Sequence, residues 1–375
     1  MLPLYHTVKG HFKNGQLESI GQANAGLVFN RFFNWTVDAQ GQLQTSNSEQ
    51  KKYFLNLFHR RMGSNSSLER LVTRQMLLNK SLNAMSVVMR SDWHWVTGLG
   101  VSHPLENGFT WHHNLSLPYL PGSSVKGLFR AFCEMEGLDK SLLERWFGTD
   151  SKAGEQLKAG ELIFFDAIPV AEAEILPDVM TPHTGEWQEK GSSGKEAPAD
   201  WHTPVPVQFL VAKNLKLLFS IALAPHSTLD IAVLSEIETK LIDALGFLGA
   251  GAKTAVGYGS MSIDESGTKH VKKLMDAQLE ELKAERAKAE QQAAFEALTP
   301  TQQKIQSLLA DLSSDQRKVD AMKELEELAR GTIQSWNTED RRELARRLRE
   351  HEYSKISNKD KAKARKQIIN QIDVS

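Results

Sequence analysis

At 375 residues the chain exceeds one minimal domain, and its 41% hydrophobic and 24% charged residues are those of an ordinary globular protein. A formal net charge of −1 excludes a whole-molecule pull toward polyanions, so any nucleic-acid site must be local. The single cysteine, Cys133, excludes an internal disulfide and a cysteine-rich metal site; with no run of 18 apolar residues and no signal-peptide core in MLPLYHTVKGHFKNG, the expectation is a cytoplasmic protein without membrane contact.

In chain order, residues 1–84 carry two helical stretches, KKYFLNLFHRRM and LERLVTRQMLLNKSL, and are taken as an N-terminal element packed on the core. MSVVMRSDWHWVTG (85–98) alternates, which predicts a strand with Val87, Met89, Trp93 and Trp95 on an apolar face and Arg90, Asp92 and His94 on the other. PGSSVKGLFRAFCEM (121–135) predicts a helix capped by Ser123 or Ser124, with Val125, Leu128, Phe129 and Phe132 as its apolar stripe. GELIFFDAIPV (160–170) predicts a strand. Segment 176–204, rich in Pro, Gly and Ser, is an insertion of the kind that is usually functional or mobile. PVPVQFLVAKNLKLLFSIALAP (204–225) predicts a strand pair turning at Lys213-Asn214. Leu234, Ile237, Leu241, Leu245 and Leu248, at helical spacing, predict a helix over 228–249, and AVGYGSMSI predicts a closing strand. The order β-α-β-β-α-β is the ferredoxin-like arrangement of an α+β domain, placed over 85–270. RRM-like RNA-binding domains share it, but a fold alone does not license a function.

Composition shifts near residue 270. Residues 271–375 hold 21 Lys/Arg and 19 Asp/Glu, against 24 and 27 in everything before them. Rich in strong helix formers and broken at Thr299-Pro300 and Gly331, this tract is taken as a separate α-helical C-terminal extension.

The stretch GAGAKTAVGYG (249–259) raises the question of phosphate binding. A Walker loop is GxxxxGK[ST] between a strand and a following helix. Here Ala252 separates Gly251 from Lys253-Thr254, and a helix precedes the loop while a strand follows it, so an NTPase site is excluded. Two alternatives stay open. Gly249, Gly251, Gly257 and Gly259 could serve tight turns, or they could expose backbone N–H groups to a phosphodiester, with Lys253 as the point charge.

The glycine spacing at 249, 251, 257 and 259 resembles the glycine-rich signature of the RAMP superfamily of CRISPR proteins. LPYLPGSSVKGLFR (117–130), FFDAIP (164–169), the D-x-x-TPH stretch at 178–183, PVPVQFL (204–210) and ALGFLGAGAKTAVGYG (244–259), five motifs in this order, resemble the sixth-subunit family of type III-B Cmr effector complexes, and NAGLVFNRFF (24–33) resembles that family's N-terminal segment. The resemblance covers roughly 24–262. It implies a non-catalytic subunit whose RRM-like RAMP domain grips the 3′ part of the guide RNA at the head end. Implied partners are guide RNA, target RNA and the backbone and head subunits, with no cofactor, and the 176–204 insertion would lie near the guide–target duplex.

The candidate RNA-binding residues are Arg90, Ser123, Ser124, Lys126, Arg130, His183, Gly249, Gly251, Lys253, Thr254, Gly257, Tyr258 and Gly259. Lys126 falls in a first helical turn, where the macrodipole disfavours a cation unless an anion is near. The alternative for Arg130 is an i, i+4 pair with Glu134. Arg90 and His94 would look the same on a solvated strand face, and Tyr258 would serve equally as a base-stacking ring or a core aromatic. Trp93 and Trp95 are expected in the core. The competing readings are a metal-independent CRISPR RNA-processing endoribonuclease and a protein-interaction subunit without direct RNA contact; against the first, no grouping of His, Tyr and Lys recurs at a defined spacing, and no histidine pair has HExxH spacing for a metal. In the tail, eleven Lys/Arg against four acidic residues over 341–366 suit RNA attraction or subunit docking alike.

Overall fold

The structure, a computed structural model, describes residues 12–13, 16–17, 19–21, 23–33, 36–37, 43–44, 48–63, 65–149, 157–182, 185, 187, 204–313, 316–350, 353 and 359–373. The chain forms two compact units, residues 1–279 and 280–375.

In the first unit, strands β1 (Arg60–Met62), β2 (Met85–Ser91), β3 (Leu162–Phe164), β4 (Ile168–Pro169), β5 (Ala173–Met180), β6 (Val207–Lys213), β7 (Lys216–Leu223) and β8 (Met261–Ile263) make two antiparallel sheets. The larger runs β8-β2-β7-β3, with β4 also on β7; the smaller runs β6-β5-β1. Helices α1 (Ala25–Arg31), α2 (Ser48–Asn56), α3 (Asn65–Ser81), α4 (Gly122–Met135), α5 (Lys140–Phe147), α6 (Val233–Phe247) and the first part of α7 (Glu265–Glu296), up to residue 279, accompany them. The architecture is α+β.

Strand β7 has Leu217 through Ala222 buried without interruption because it is central and both of its faces are covered. Alternate residues point to opposite faces. Val87, Met89, Leu217, Phe219 and Ile221 join the main core with Val125, Phe129 and Phe132 of α4 and Ile237, Leu241 and Leu245 of α6. Val88 and Leu218 meet Val72 and Met76 of α3 and Val271 of α7 instead. Each large apolar side chain so buried contributes about 1.5–3 kcal/mol. Asn79, buried at 1% exposure, donates to the Ser86 and Ser220 hydroxyls at 2.8 and 2.7 Å, which is how α3 satisfies its one polar group against the sheet.

Five local expectations are corrected. The first strand stops at Ser91, because Asp92 accepts the hydroxyls of Ser260 and Ser262 and its N–H donates to the Ser260 carbonyl. The alternation is lost there, so Trp95 is buried while Trp93 is 48% exposed. Helix α4 has Pro121 rather than a serine at its N-cap; the Gly122 N–H donates to Asp166 Oδ1 at 2.7 Å, and Ser123 and Ser124 lie exposed in the first turn. The 204–225 strands are not a hairpin ladder: β6 pairs with β5 and β7 with β2, the chain changing sheets through Asn214 at φ 58. The insertion begins on β5, which runs to Met180. Finally, AVGYG is not strand; Thr254–Val256 is a 3-10 turn and β8 starts at Met261.

The second unit has its own core. Helices α8 (Pro300–Ser313), α9 (Lys318–Arg330), α10 (Thr338–Glu350) and α11 (Lys359–Ile372) bury Leu308, Leu325, Leu344, Leu348 and Ile372 among others. Pro300 opens α8 and Gly331 follows α9, as breakers should. Part of the basic surplus is used internally: Arg346 and Arg347 bind Glu343, and Arg341 donates to the carbonyls of Gln371 and Ile372. Among the described residues, no helix is long and apolar enough to cross a membrane.

Candidate nucleic-acid interface

The glycine-rich loop joins α6 to β8, and its four signature glycines all have positive φ: +73 at Gly249, +106 at Gly251, +91 at Gly257 and +77 at Gly259. At two of them close approach adds a second requirement. A Cβ on Gly251 would lie 2.2 Å from the Val96 carbonyl oxygen, and one on Gly259 would lie 2.2 Å from that of Ala250. These approaches let Ala252 N–H donate to Val96, Ala250 N–H to Gly259, and Gly259 N–H to His94, at 2.8, 2.8 and 3.0 Å. Val256, Gly257 and Tyr258 also donate within the loop. The expectation of a cradle of bare amides is therefore corrected: most of these N–H groups are spent on protein carbonyls.

Lys253 itself holds a left-handed backbone, φ 60 and ψ 29, at the start of the 3-10 turn that Thr254 opens. Its ammonium lies 5.6 Å from the Phe209 ring centre, 5.7 Å from that of Tyr258 and 3.7 Å from Met180 Sδ, a cation over aromatic faces. Tyr258 is buried, which corrects the base-stacking alternative in favour of the core one. Its hydroxyl donates to Asp178 Oδ2 at 2.7 Å, and the same oxygen lies 3.1 Å from His94 Nδ1. Burial, then the bond to Asp178 and its charge, push the Tyr258 hydroxyl up to about 12. Trp93 completes the group, stacked on His94 with ring centres 4.6 Å apart and tilted against Tyr258 at 4.9 Å.

The α4 candidates lie on another wall. Ser124, with Leu128, lines a cleft of about 380 Å³ whose other sides are Thr97 to Gly100, Leu120, and Gly251 with Ala252. Two of the predicted residues, Ser124 and Gly251, distant in sequence, thus line one cleft. Lys126 is half-buried in the first turn. Arg130 donates to Glu134 Oε1 at 2.7 Å, the i, i+4 pair weighed as its alternative. Arg90 is exposed and its Nε donates to Ser262 Oγ at 3.2 Å. His183 lies outside the described residues, as does Trp201.

Other histidines serve structure. His103 stacks on Phe29 at 4.1 Å, donates to the Phe29 carbonyl at 2.8 Å and accepts the Leu105 N–H; burial lowers its pKa, and the carbonyl bond only partly offsets this. His112 accepts the Asn114 N–H and is lowered by burial, then by the charge of His113. What the sequence did not single out are Asp166, Asp178 and the exposure of Trp93. Asp178 opens the D-x-x-TPH stretch, so that motif carried the available signal; nothing local marks Asp166 as the helix cap.

The RAMP superfamily family model matches residues 90–262, from the end of β2 to β8. A CRISPR system Cmr subunit Cmr6 of Pyrococcus furiosus is 30% identical over 240 residues, covering 48% of this chain and 68% of that protein. The CRISPR system CMR subunit Cmr6 of Saccharolobus solfataricus is 26% identical over 170 residues, covering 43% and 51%. Among solved structures, a chain in a cryo-EM structure of the type III-B Cmr-beta bound to cognate target RNA aligns at TM-score 0.44 and 21% identity, over 59% of this chain and 76% of that one. The crystal structure of Cmr6 from Pyrococcus furiosus aligns at TM-score 0.29 and 25% identity, over 48% and 98%. On the matched family model and the Pyrococcus relative spanned over 68% of its length, this chain belongs to the RAMP superfamily of CRISPR proteins and resembles the Cmr6 subunits within it.

Proposed function

We propose that this chain is a non-catalytic, RNA-binding and architectural subunit of a type III-B CRISPR RNA-guided effector, gripping the 3′ part of the guide RNA at the head end. The observation that carries the proposal is the cleft where the first turn of α4, the 97–100 loop and Gly251 meet inside a RAMP-superfamily region. Kinship with proteins named as Cmr subunits supports the effector setting and sibling subunits as partners. The strand order β8-β2-β7-β3, with α4 and α6 against one face, supports a ferredoxin-like RAMP domain over 85–270, beside an N-terminal element (1–84) and a helical extension (271–375). In this reading a ribose-phosphate strand follows the cleft past Ser123, Ser124 and Lys126, with Arg130 beside it. The glycines act by shaping the wall rather than by donating along its length. Target RNA passes near the 176–204 insertion.

In the assembled complex, Lys126→Glu with Arg130→Glu is expected to lose most of the guide RNA that co-purifies with the wild type. Lys126→Ala is expected to flatten the salt dependence of RNA binding by about 0.7, the increment for one phosphate contact on a single strand. Unchanged retention and an unchanged slope would refute the assignment.

One observation favours a second reading. Although no spacing announces it, His94 and Lys253 gather around Tyr258 and Asp178, a grouping that metal-independent RNA cleavage could use. Against it, Tyr258 is buried with its hydroxyl spent on Asp178, and Lys253 is folded over two rings. Incubation with repeat RNA is expected to leave it intact; a defined cut lost on His94→Ala would establish the nuclease instead.

A further inference from the structure

Trp93 is the exposed top of a prearranged stack. One face of its indole lies on the His94 ring at an interplanar angle of 10°, and Tyr258 braces it from the side. His94 is in turn held by Asp178, which also holds Tyr258, so the stack is fixed by hydrogen bonds from beneath. Yet 48% of Trp93 stays open. Just before it in the chain, Arg90 and Asp92 belong to a polar network with the facing strand, in which Ser260 and Ser262 donate hydroxyls to Asp92 and Arg90 donates to Ser262.

The neighbouring charges point the same way. In the sheet register Arg90 stands directly opposite Lys216, a like-charge pair that is unfavourable by itself. Lys216 is neutralised by Asp264 at 2.6 Å, whereas Arg90 has no acidic partner among the described residues. An aromatic face three positions along the chain from a guanidinium that reaches a carboxylate only through the Ser262 hydroxyl matches a nucleotide, with its base on the ring and its phosphate on the cation.

We propose that Trp93, backed by His94, is a stacking platform for one unpaired base of single-stranded RNA, with Arg90 taking that nucleotide's phosphate. The platform rests on the RNA-binding reading above and adds to it a contact made by a base rather than by the backbone. It lies apart from the residues lining the α4 cleft, so a strand engaging both sites would be gripped at two points.

The test uses the full-length chain, a single-stranded oligouridine and an abasic ribose-phosphate oligomer of equal length. Trp93→Ala is expected to weaken oligouridine binding about tenfold, within the range for loss of one stacked base. It should leave the salt slope and abasic binding unchanged, and Trp93→Phe should retain most of the affinity. Wild-type affinity in Trp93→Ala, or equal loss on the abasic oligomer, overturns the platform. Failure of the broader reading looks different: binding of wild type that is absent or insensitive to salt, and unmoved by Lys126→Ala.

Discussion

Gly251→Ala is expected to destabilise the first unit by about 2–3 kcal/mol, the sum of roughly 1–2 kcal/mol for a left-handed backbone carrying a Cβ and about 1 kcal/mol for the hydrogen bond it displaces. The geometry behind this is specific. At φ +106 the new methyl would sit 2.2 Å from the Val96 carbonyl oxygen, which also accepts the Ala252 N–H at 2.8 Å. Neither atom can withdraw without opening that bond and separating the loop from the segment after β2. Gly257→Ala is the internal control, because it has φ +91 but nothing within 4 Å of the added carbon. It should cost only about 1–2 kcal/mol. Thermal unfolding should show the melting temperature falling roughly 4–12 °C for the first and roughly 2–8 °C for the second, with the first always the larger drop. If the two variants melt together, sterics do not govern the loop, and its glycines would have to be explained by what they present outward.

Asp178→Ala should come next in magnitude, at about 2–4 kcal/mol, because it strands a buried hydroxyl and releases the ring of His94 at once. One carboxylate oxygen serves both partners, at 2.7 Å from Tyr258 Oη and 3.1 Å from His94 Nδ1. In the Asp178→Ala background, Tyr258→Phe should be nearly neutral, since donor and acceptor then disappear together; additive losses would show that the two side chains are not coupled. The alkaline limb gives a second readout. Tyr258 ionises near 12 when folded and at an ordinary 10.0 when not. The folded state therefore holds the proton more tightly, and the stability this contributes is complete below 10 and lost as pH rises toward 12. Removing Asp178 should bring the phenolate transition down, with burial retaining part of the shift. A transition left near 12 would place its cause elsewhere. The RNA platform proposed at Trp93 would loosen in the same variant, since His94 would no longer be anchored beneath it.

Much of the chain was legible because local periodicity reports burial. The alternation through Val87 and Met89, the residues Leu217, Phe219 and Ile221, and the helical spacing of Leu234, Ile237, Leu241 and Leu245 each place side chains that the structure buries in the main core. The ordered motifs from NAGLVFNRFF to the glycine loop carried the family, since motif order survives where overall identity is only 30%. Local breakers likewise marked the helix ends at Pro300 and Gly331.

Partners far along the chain decided the rest. The strand ends at Ser91 because hydroxyls 168 and 170 residues away capture Asp92, and that capture turns Trp93 outward from an apolar face. Asp166 caps α4 from 44 residues away, so the serines beside the helix start were misleading. Whether the loop amides were bare depended on where Val96 and His94 would bring their carbonyls. Asp178 meets His94 and Tyr258 across separations of 84 and 80 residues. A sequence of itself determines which residues prefer burial, turn or helix, since these are properties of neighbours a few positions apart. Which donor finds which acceptor is settled only when folding closes those long loops, and at this site that pairing selects the aromatic ring left open to solvent.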